Sequence, residues 1–177
     1  MQNLEFKAQC KNKQDFALLK KHVLSIAPAY QTTLTQKDTY FHTKTNKLKI
    51  REWGNTDGEN KVELIGYERA NRKTSRMSNY FIAELTNPQE ITNVLTHTLG
   101  IQTIVSKKRE LYIYGSTRIH LDEVQSLGYF VELETVFPSK PTKTIIQQLH
   151  KEHTSLIKML DLKTMTPITH SYSQLLK

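Results

Sequence analysis

Apolar and polar residues alternate with a period of two through eight stretches of the chain. These are NLEFKAQ at 3–9, DTYFH at 38–42, NKLKIRE at 46–52, KVELIGYER at 61–69, RMSNYFIAEL at 76–85, VSKKRELYIY at 105–114, TRIHLDEV at 117–124 and YFVELETVF at 129–137. A strand sends successive side chains to opposite faces, so each stretch reads as a β-strand with one apolar face. Turn-forming residues at NTDG (55–58), YGST (114–117) and QSLG (125–128) make most neighbours antiparallel hairpins. Eight antiparallel strands suffice to close a barrel.

Helical periodicity appears only between these groups. Asn12 is placed to cap a helix over 13–26, with Asp15 in its first turn and Phe16, Leu19, Val23 and Ile26 along one face. Pro88 after Asn87 opens a second helix carrying Ile91, Val94, Leu95 and Leu99, and Gly100 supplies a left-handed stop. A third begins near Pro141, with Ile145, Ile146, Leu149, Leu156, Ile157 and Leu160 as its buried stripe, and the SYSQLL tail forms a last turn. The predicted fold class is α+β, an eight-stranded antiparallel β-barrel with flanking helices.

Length adds that 177 residues make one domain, spanning 1–177, able to bury a core without disulfides. Cys10 is the single cysteine, which excludes an internal disulfide and fits a reducing compartment. The chain has no apolar run of membrane-spanning length and no hydrophobic leader at MQNLEFKAQCK, so a cytoplasmic protein without a membrane partner is expected. A formal net charge of +8 suits an anionic partner. Charge alone does not choose among nucleotide, polyphosphate and nucleic acid.

The distribution of that charge narrows the choice. Glu5 and Lys7 share one strand face, as do Lys47, Lys49 and Arg51; Lys107 and Arg109; Arg118, His120 and Asp122; and Glu132 and Glu134. Such faces are ordinarily solvated. If helices cover the apolar faces instead, barrel closure turns the charged faces into a lumen, where crowded cations need a polyanion or carboxylates to neutralise them. Glutamates at i and i+2 project side by side, a spacing that brings two hard oxygen ligands to one Mg²⁺ or Mn²⁺ and also occurs on exposed strands. Tyr40, Phe41, Tyr67, Tyr80 and Phe81 are either core or stacking surfaces for a base. His120 is read as structural. P-loop, nucleophile-elbow and HExxH signatures are missing from the sequence.

In order along the chain, N-L-E-F-K-A at 3–8, D-T-Y-F at 38–41, L-K-I-R-E at 48–52 and Y-E-R at 67–69 resemble the CYTH family. K-x-R at 107–109, H-L-D-E-V at 120–124, L-G-Y-F-V-E-L-E at 127–134 and S-Y-S-Q-L-L at 171–176 continue the likeness over nearly the whole chain. That family includes class IV adenylyl cyclases, thiamine triphosphatases and inorganic triphosphatases built on an eight-stranded triphosphate tunnel. The resemblance implies that Lys7, Lys49, Arg51, Arg69, Arg76, Lys107, Arg109 and Arg118 bind substrate phosphates, with Lys7, Arg51 and Arg109 acting catalytically. It implies that Glu5, Asp122, Glu132 and Glu134 hold Mg²⁺ or Mn²⁺.

One departure from the family stands at the amino terminus, where its ExExK signature is replaced by Asn3, Glu5 and Lys7. A second metal site is put in question there. The fourth strand is another, since IGYER carries its cation at Arg69. The HLDEV and LGYFVELE segments and the tail are most similar to class IV cyclases, which implies conversion of ATP to cyclic AMP and pyrophosphate. A triphosphatase using the same tunnel and a noncatalytic phosphate or nucleotide binder are the alternatives. The expected partner is a nucleoside triphosphate or another triphosphate compound, with no nucleic acid, and a homodimer is allowed for.

Overall fold

The computed structural model of the chain describes residues 2–69 and 76–176, with side chains for 3–29, 32–67 and 81–176. Its strands are β1 (Gln2–Gln9), β2 (Tyr30–Phe41), β3 (Lys47–Asn55), β4 (Asn60–Arg69), β5 (Arg76–Glu84), β6 (Ile101–Tyr114), β7 (Thr117–Val124), β8 (Gly128–Phe137) and the short β9 (Thr166–Pro167). They form one antiparallel sheet in the order β5-β4-β3-β2-β6-β7-β8-β1-β9. One edge of β1 pairs with β8 over its whole length, Gln2↔Phe137 to Gln9↔Phe130. The other edge is shared: Gln2–Glu5 pair with β5, and Ala8 and Gln9 pair with β9.

The expected closed eight-stranded barrel is therefore corrected in its detail. Among the described residues the sheet has nine strands and curls round on itself through a short β1–β5 seam, so it is not a strict barrel. A second difference is the early start of β2 at Tyr30, ahead of the alternating DTYFH. The preceding QTTLTQ holds one apolar residue, so its alternation is silent, but its threonines are good strand formers and β6 offers a long partner, Tyr30↔Ile113 to Phe41↔Ile101.

The helices that accompany the sheet among the described residues are α1 (Lys13–Ser25), α2 (Pro88–Leu99), α3 (Lys143–Met159) and α4 (Tyr172–Leu175). The Asp15 amide donates to Asn12 Oδ1 at 2.9 Å, and the Ile145 amide donates to Thr142 Oγ1 at 3.3 Å, so both long amphipathic helices begin on a side-chain cap. Leu19 and Val23 of α1 join Leu156 and Leu160 of α3 and Leu162 beyond it against Ala8, Tyr112, Ile119, Leu121, Val131 and Leu133. These last are the outward apolar residues of β1, β6, β7 and β8, so the polar residues between them must face inward.

Helix cover is one-sided, so the condition that helices cover the apolar faces is met only in part. Helix α2 buries none of its residues; Val94 is 62 % exposed, and Phe81 on β5 is 80 % exposed. Gly100 after α2 has φ +71° and ψ 151°, a positive-φ but extended stop rather than a left-handed one. Helix α3 is pinned through a buried polar chain. Glu152 Oε1 accepts from the Ser116 amide at 3.0 Å and from Thr117 Oγ1 at 2.6 Å, Thr117 meets Thr135 at 2.7 Å, and Thr135 meets His153 Nδ1 at 2.8 Å. A Cβ on Gly115, whose φ is +55°, would run into the Glu152 carboxylate. No helix among the described residues is long and apolar enough to cross a membrane.

Candidate functional site

The inward residues enclose a cavity of about 530 Å³. Glu5, Lys7, Asp38, Lys49, Arg51, Lys107, Arg109, Arg118, His120, Glu132 and Glu134 all line it. Period-two alternation puts them there. Of the two readings left open by the sequence, solvated faces or lumen, the structure gives the lumen.

One wall is organised by Asp38 of β2, which is 1 % exposed. Its Oδ1 accepts from Arg51 Nε at 2.7 Å, and its Oδ2 accepts from Lys49 Nζ at 2.8 Å and Arg51 Nη2 at 2.9 Å. Lys107 Nζ stands 3.6 Å from the same oxygen. Burial would raise the Asp38 pKa, but the charges of Arg51, Lys49 and Lys107 hold it well below the usual carboxylate range. Burial, then the neighbouring Arg51 charge, push Lys49 down to about 8, and burial with Arg109 pushes Lys107 well below the usual lysine value. The wall thus holds more positive charge than one carboxylate neutralises, and an anion would relieve it.

The facing wall mixes signs. Arg109 donates through Nε and Nη2 to both oxygens of Asp122 at 2.6 Å, and through Nη2 to Glu132 Oε2 at 2.8 Å. Lys7 Nζ lies 2.9 Å from Glu132 Oε1. Glu132 sits well below its usual pKa: burial opposes ionisation, and the Lys7 charge, the neighbouring His120 imidazole and the Arg109 charge override it. Asp122 falls to about 2 against its own burial, chiefly through Arg109. Glu134 accepts from the Asn3 amide nitrogen and, at 3.3 Å, from Arg118 Nη1, and it is the register partner of Glu5.

Asp122 differs from the other predicted metal ligands. It is fully buried behind the lining, its oxygens engaged by Arg109 and by Tyr172 Oη at 2.8 Å. It holds Arg109 in place. Arg69 and Arg76, expected as lumen cations, lie outside the described side chains, as does Tyr80.

Helix α4 brings Tyr172 and Ser171 to the cavity wall. Ser171 caps it, its Oγ and amide meeting Gln174 Oε1 at 2.9 Å. The Tyr172 ring receives Lys7 Nζ at 4.2 Å and Lys107 Nζ at 5.5 Å, linking the two walls. Tyr40 and Tyr67 line the cavity near Lys49, whereas Phe41 is core and Phe81 is exposed. An apolar surface of Leu34, Leu111 and Ile113 from β2 and β6, with Ile65 and Ile82 from β4 and β5, completes the lining.

Two residues of consequence are not identified by sequence reasoning. Asp38 stands in the DTYF stretch, and its period-two spacing with Gln36 and Tyr40 is the available signal. Tyr172 stands in the SYSQLL tail, but nothing local shows that a terminal turn reaches back to the sheet.

A divalent cation can be tested against these donors. Glu132, Glu134 and Glu5 supply hard oxygens to one cavity, and the buried His120 Nδ1 beside them has no hydrogen-bond partner among the described residues. The donor types fit Mg²⁺ or Mn²⁺. Among the described residues no three acidic, His or Cys groups already converge as a ligand set, because the carboxylates are engaged by the lumen cations. Phosphate oxygens competing for those cations would release them.

No curated protein matches the chain significantly. Among solved structures, a conserved hypothetical protein from Pyrococcus furiosus is similar over 98 % of this chain and 99 % of its own, at 21 % identity and a TM-score of 0.78. A putative adenylate cyclase from Vibrio parahaemolyticus is 16 % identical over 98 % of this chain and 97 % of its own, with a TM-score of 0.67. A putative adenylyl cyclase from Hippeastrum, described as revealing a dominant triphosphatase activity, is 14 % identical over 99 % and 93 % of the two chains, with a TM-score of 0.60. At these identities the likeness is one of fold. The sequence model of the CYTH domain matches residues 1–164, and with the inward-facing cations and carboxylates of the curled sheet it places this chain in the CYTH domain family.

Proposed function

We propose that the protein is a metal-assisted enzyme of triphosphate substrates, acting as a class IV type adenylyl cyclase that converts ATP to cyclic AMP and pyrophosphate. The observation that carries this reading is the composition of the cavity: a cation-rich wall around Asp38, a carboxylate-bearing wall opposite, and an apolar surface beside them. Triphosphate oxygens fit the first, a divalent cation the second, and a nucleoside the third.

Lys49, Arg51 and Lys107 take phosphate oxygens from one side, and Lys7, Arg109 and Arg118 from the other. Buried cations fixed by Asp38 and Asp122 are already oriented, so they stabilise charge developing on the phosphates without reorganising. Lys7, Arg51 and Arg109 are the catalytic cations in this scheme. Glu132, Glu134 and Glu5 hold Mg²⁺ or Mn²⁺. The bound cation supplies Lewis-acid polarisation and lowers the pKa of the attacking oxygen. Tyr40 and the Leu34, Leu111 and Ile113 surface accept the nucleoside and exclude water from the α-phosphorus.

A second reading, hydrolysis of the terminal phosphate, uses the same residues with the triphosphate seated at a different depth. The triphosphatase activity recorded for the Hippeastrum relative favours it. Product analysis after incubation with ATP and with tripolyphosphate, each with Mg²⁺ and Mn²⁺, decides the matter. Cyclic AMP with pyrophosphate is the expected result. ADP with phosphate, or phosphate from tripolyphosphate, establishes the triphosphatase, and binding without turnover establishes a noncatalytic binder.

A further inference from the structure

His120 projects from β7 into the cavity between the two glutamates of β8. It is 4 % exposed and stands directly opposite Glu132 in the β7–β8 ladder. Its Nδ1 lies 3.6 Å from Glu132 Oε2, beyond hydrogen-bond reach, and its Nε2 lies 4.0 Å from Glu134 Oε2. Buried Nδ1 has no hydrogen-bond partner among the described residues. Buried polar atoms are normally paired, and an unpaired one inside a binding cavity points to a ligand. Lys7, Arg109, Glu132 and Glu134 surround it, and the tautomer protonated at Nε2 presents an Nδ1 lone pair to the cavity.

We propose that His120 Nδ1 is a nitrogen ligand of the divalent cation held by Glu132, making the metal centre a mixed nitrogen and oxygen site selective for Mn²⁺ over Mg²⁺. This rests on the metal-assisted reading of the cavity. A cation bonded to a nitrogen and a carboxylate oxygen at roughly 2.1 Å holds them about 3 Å apart, so the 3.6 Å gap closes with a small rotation of either side chain. The Nε2–H of that tautomer then faces Glu134 Oε2, and a carboxylate oxygen in that position orients a ligating imidazole while the other oxygen of Glu134 stays available to the metal. Mg²⁺ prefers an all-oxygen shell and keeps its waters, whereas imidazole suits transition-metal cations. Selection between two cations of equal charge thus rests on one side chain.

The test uses the full-length protein with MnCl₂ and tripolyphosphate, read by electron spin-echo envelope modulation. Protein of natural isotopic composition should show ¹⁴N modulation from a directly bound nitrogen, and protein labelled with ¹⁵N-histidine should show it replaced by the ¹⁵N pattern. In His120→Gln the nitrogen signal should vanish, and the ratio of Mn²⁺ to Mg²⁺ affinity, measured by calorimetry, should fall about tenfold. Bound Mn²⁺ without histidine nitrogen coupling in the wild type overturns the proposal while leaving a carboxylate metal site intact. An unchanged affinity ratio in His120→Gln also overturns it. Failure of the wild type to bind Mn²⁺ with or without tripolyphosphate overturns both this proposal and the metal-assisted reading. Isotope exchange in the wild type decides for or against histidine ligation even if the variant does not fold.

Discussion

The Asp38 carboxylate holds Arg51 side-on, Nε on Oδ1 at 2.7 Å and Nη2 on Oδ2 at 2.9 Å, in a contact nearly closed to solvent on the carboxylate side. Lys49 shares the second oxygen. Asp38→Asn should therefore leave two or three cations crowded in the cavity. Removing one partner of a buried ion pair costs about 3–5 kcal/mol. Tripolyphosphate supplies the missing negative charge, so its addition should raise the Tm of the variant more than that of the wild type. Equal ligand-induced shifts would show that Asp38 does not compensate the phosphate-binding cations.

Lys49 sets an alkaline limit on binding. Its pKa of about 8 before substrate binds reflects burial and the Arg51 charge. A bound triphosphate favours the protonated form and raises that pKa, so above about pH 8 binding takes up a proton and affinity falls, by up to about tenfold per pH unit. Below pH 8 this contribution is flat. Calorimetry at pH 8.5 in two buffers of different ionisation enthalpy should report proton uptake, diminished in Lys49→Met. Identical uptake in the variant would assign the proton elsewhere.

Asn3 gives a more direct probe of the carboxylate cluster. Its amide nitrogen donates to Glu134, and the residue is completely buried. Asn3→Glu replaces that donor with an anion beside Glu134 and close to Glu5, so the metal-free protein should melt at a lower temperature. Mn²⁺ should recover more stability in the variant than in the wild type, and half-maximal turnover should come at lower free metal. Melting curves with chelator and with Mn²⁺ that show the same shift in both proteins would place Asn3 away from the metal.

The polar chain under α3 predicts acid sensitivity. His153 is buried against Thr135, and burial followed by the His150 charge lowers its pKa to about 4. Its unfolded value is near 6.5, so between those values the unfolded chain binds the extra proton. Stability is complete above about pH 6.5 and declines as pH falls toward 4, by at most about 3 kcal/mol. His153→Gln should flatten the dependence of Tm on pH across that interval. A dependence as steep as in the wild type would assign the acid loss to another group.

Much of this architecture is written locally in the chain. Period-two alternation fixes which side chains share a face, so Lys7, Lys49, Arg51, Lys107, Arg109, Glu132 and Glu134 are legible as a set without knowledge of their lumen. What escapes depends on partners distant in sequence. That Asp38 compensates three cations follows from β2 lying between β3 and β6, an order that no local pattern encodes. That Asp122 serves Arg109 follows from the β6–β7 register and from Tyr172, fifty residues along the chain. His120 reads as structural because the residue type is ambiguous; only its unpaired nitrogen distinguishes it.

The divided edge of β1 has a consequence for biogenesis. Lys7 and Glu5 are synthesised long before Glu132 and Glu134, and Asn3 meets a Glu134 that lies 131 positions further along the chain. A nascent chain can offer β1 its short pairing with β5 early, but the full-length pairing must wait until β8 emerges, and β9 completes the other edge later still. Long-range pairing of this kind closes slowly and leaves an unpaired strand exposed meanwhile. A truncated product ending before β8 would keep Asp38 and Asp122 with their cations but leave Lys7 without Glu132 and Arg118 without Glu134, an open sheet edge rather than a weakened enzyme.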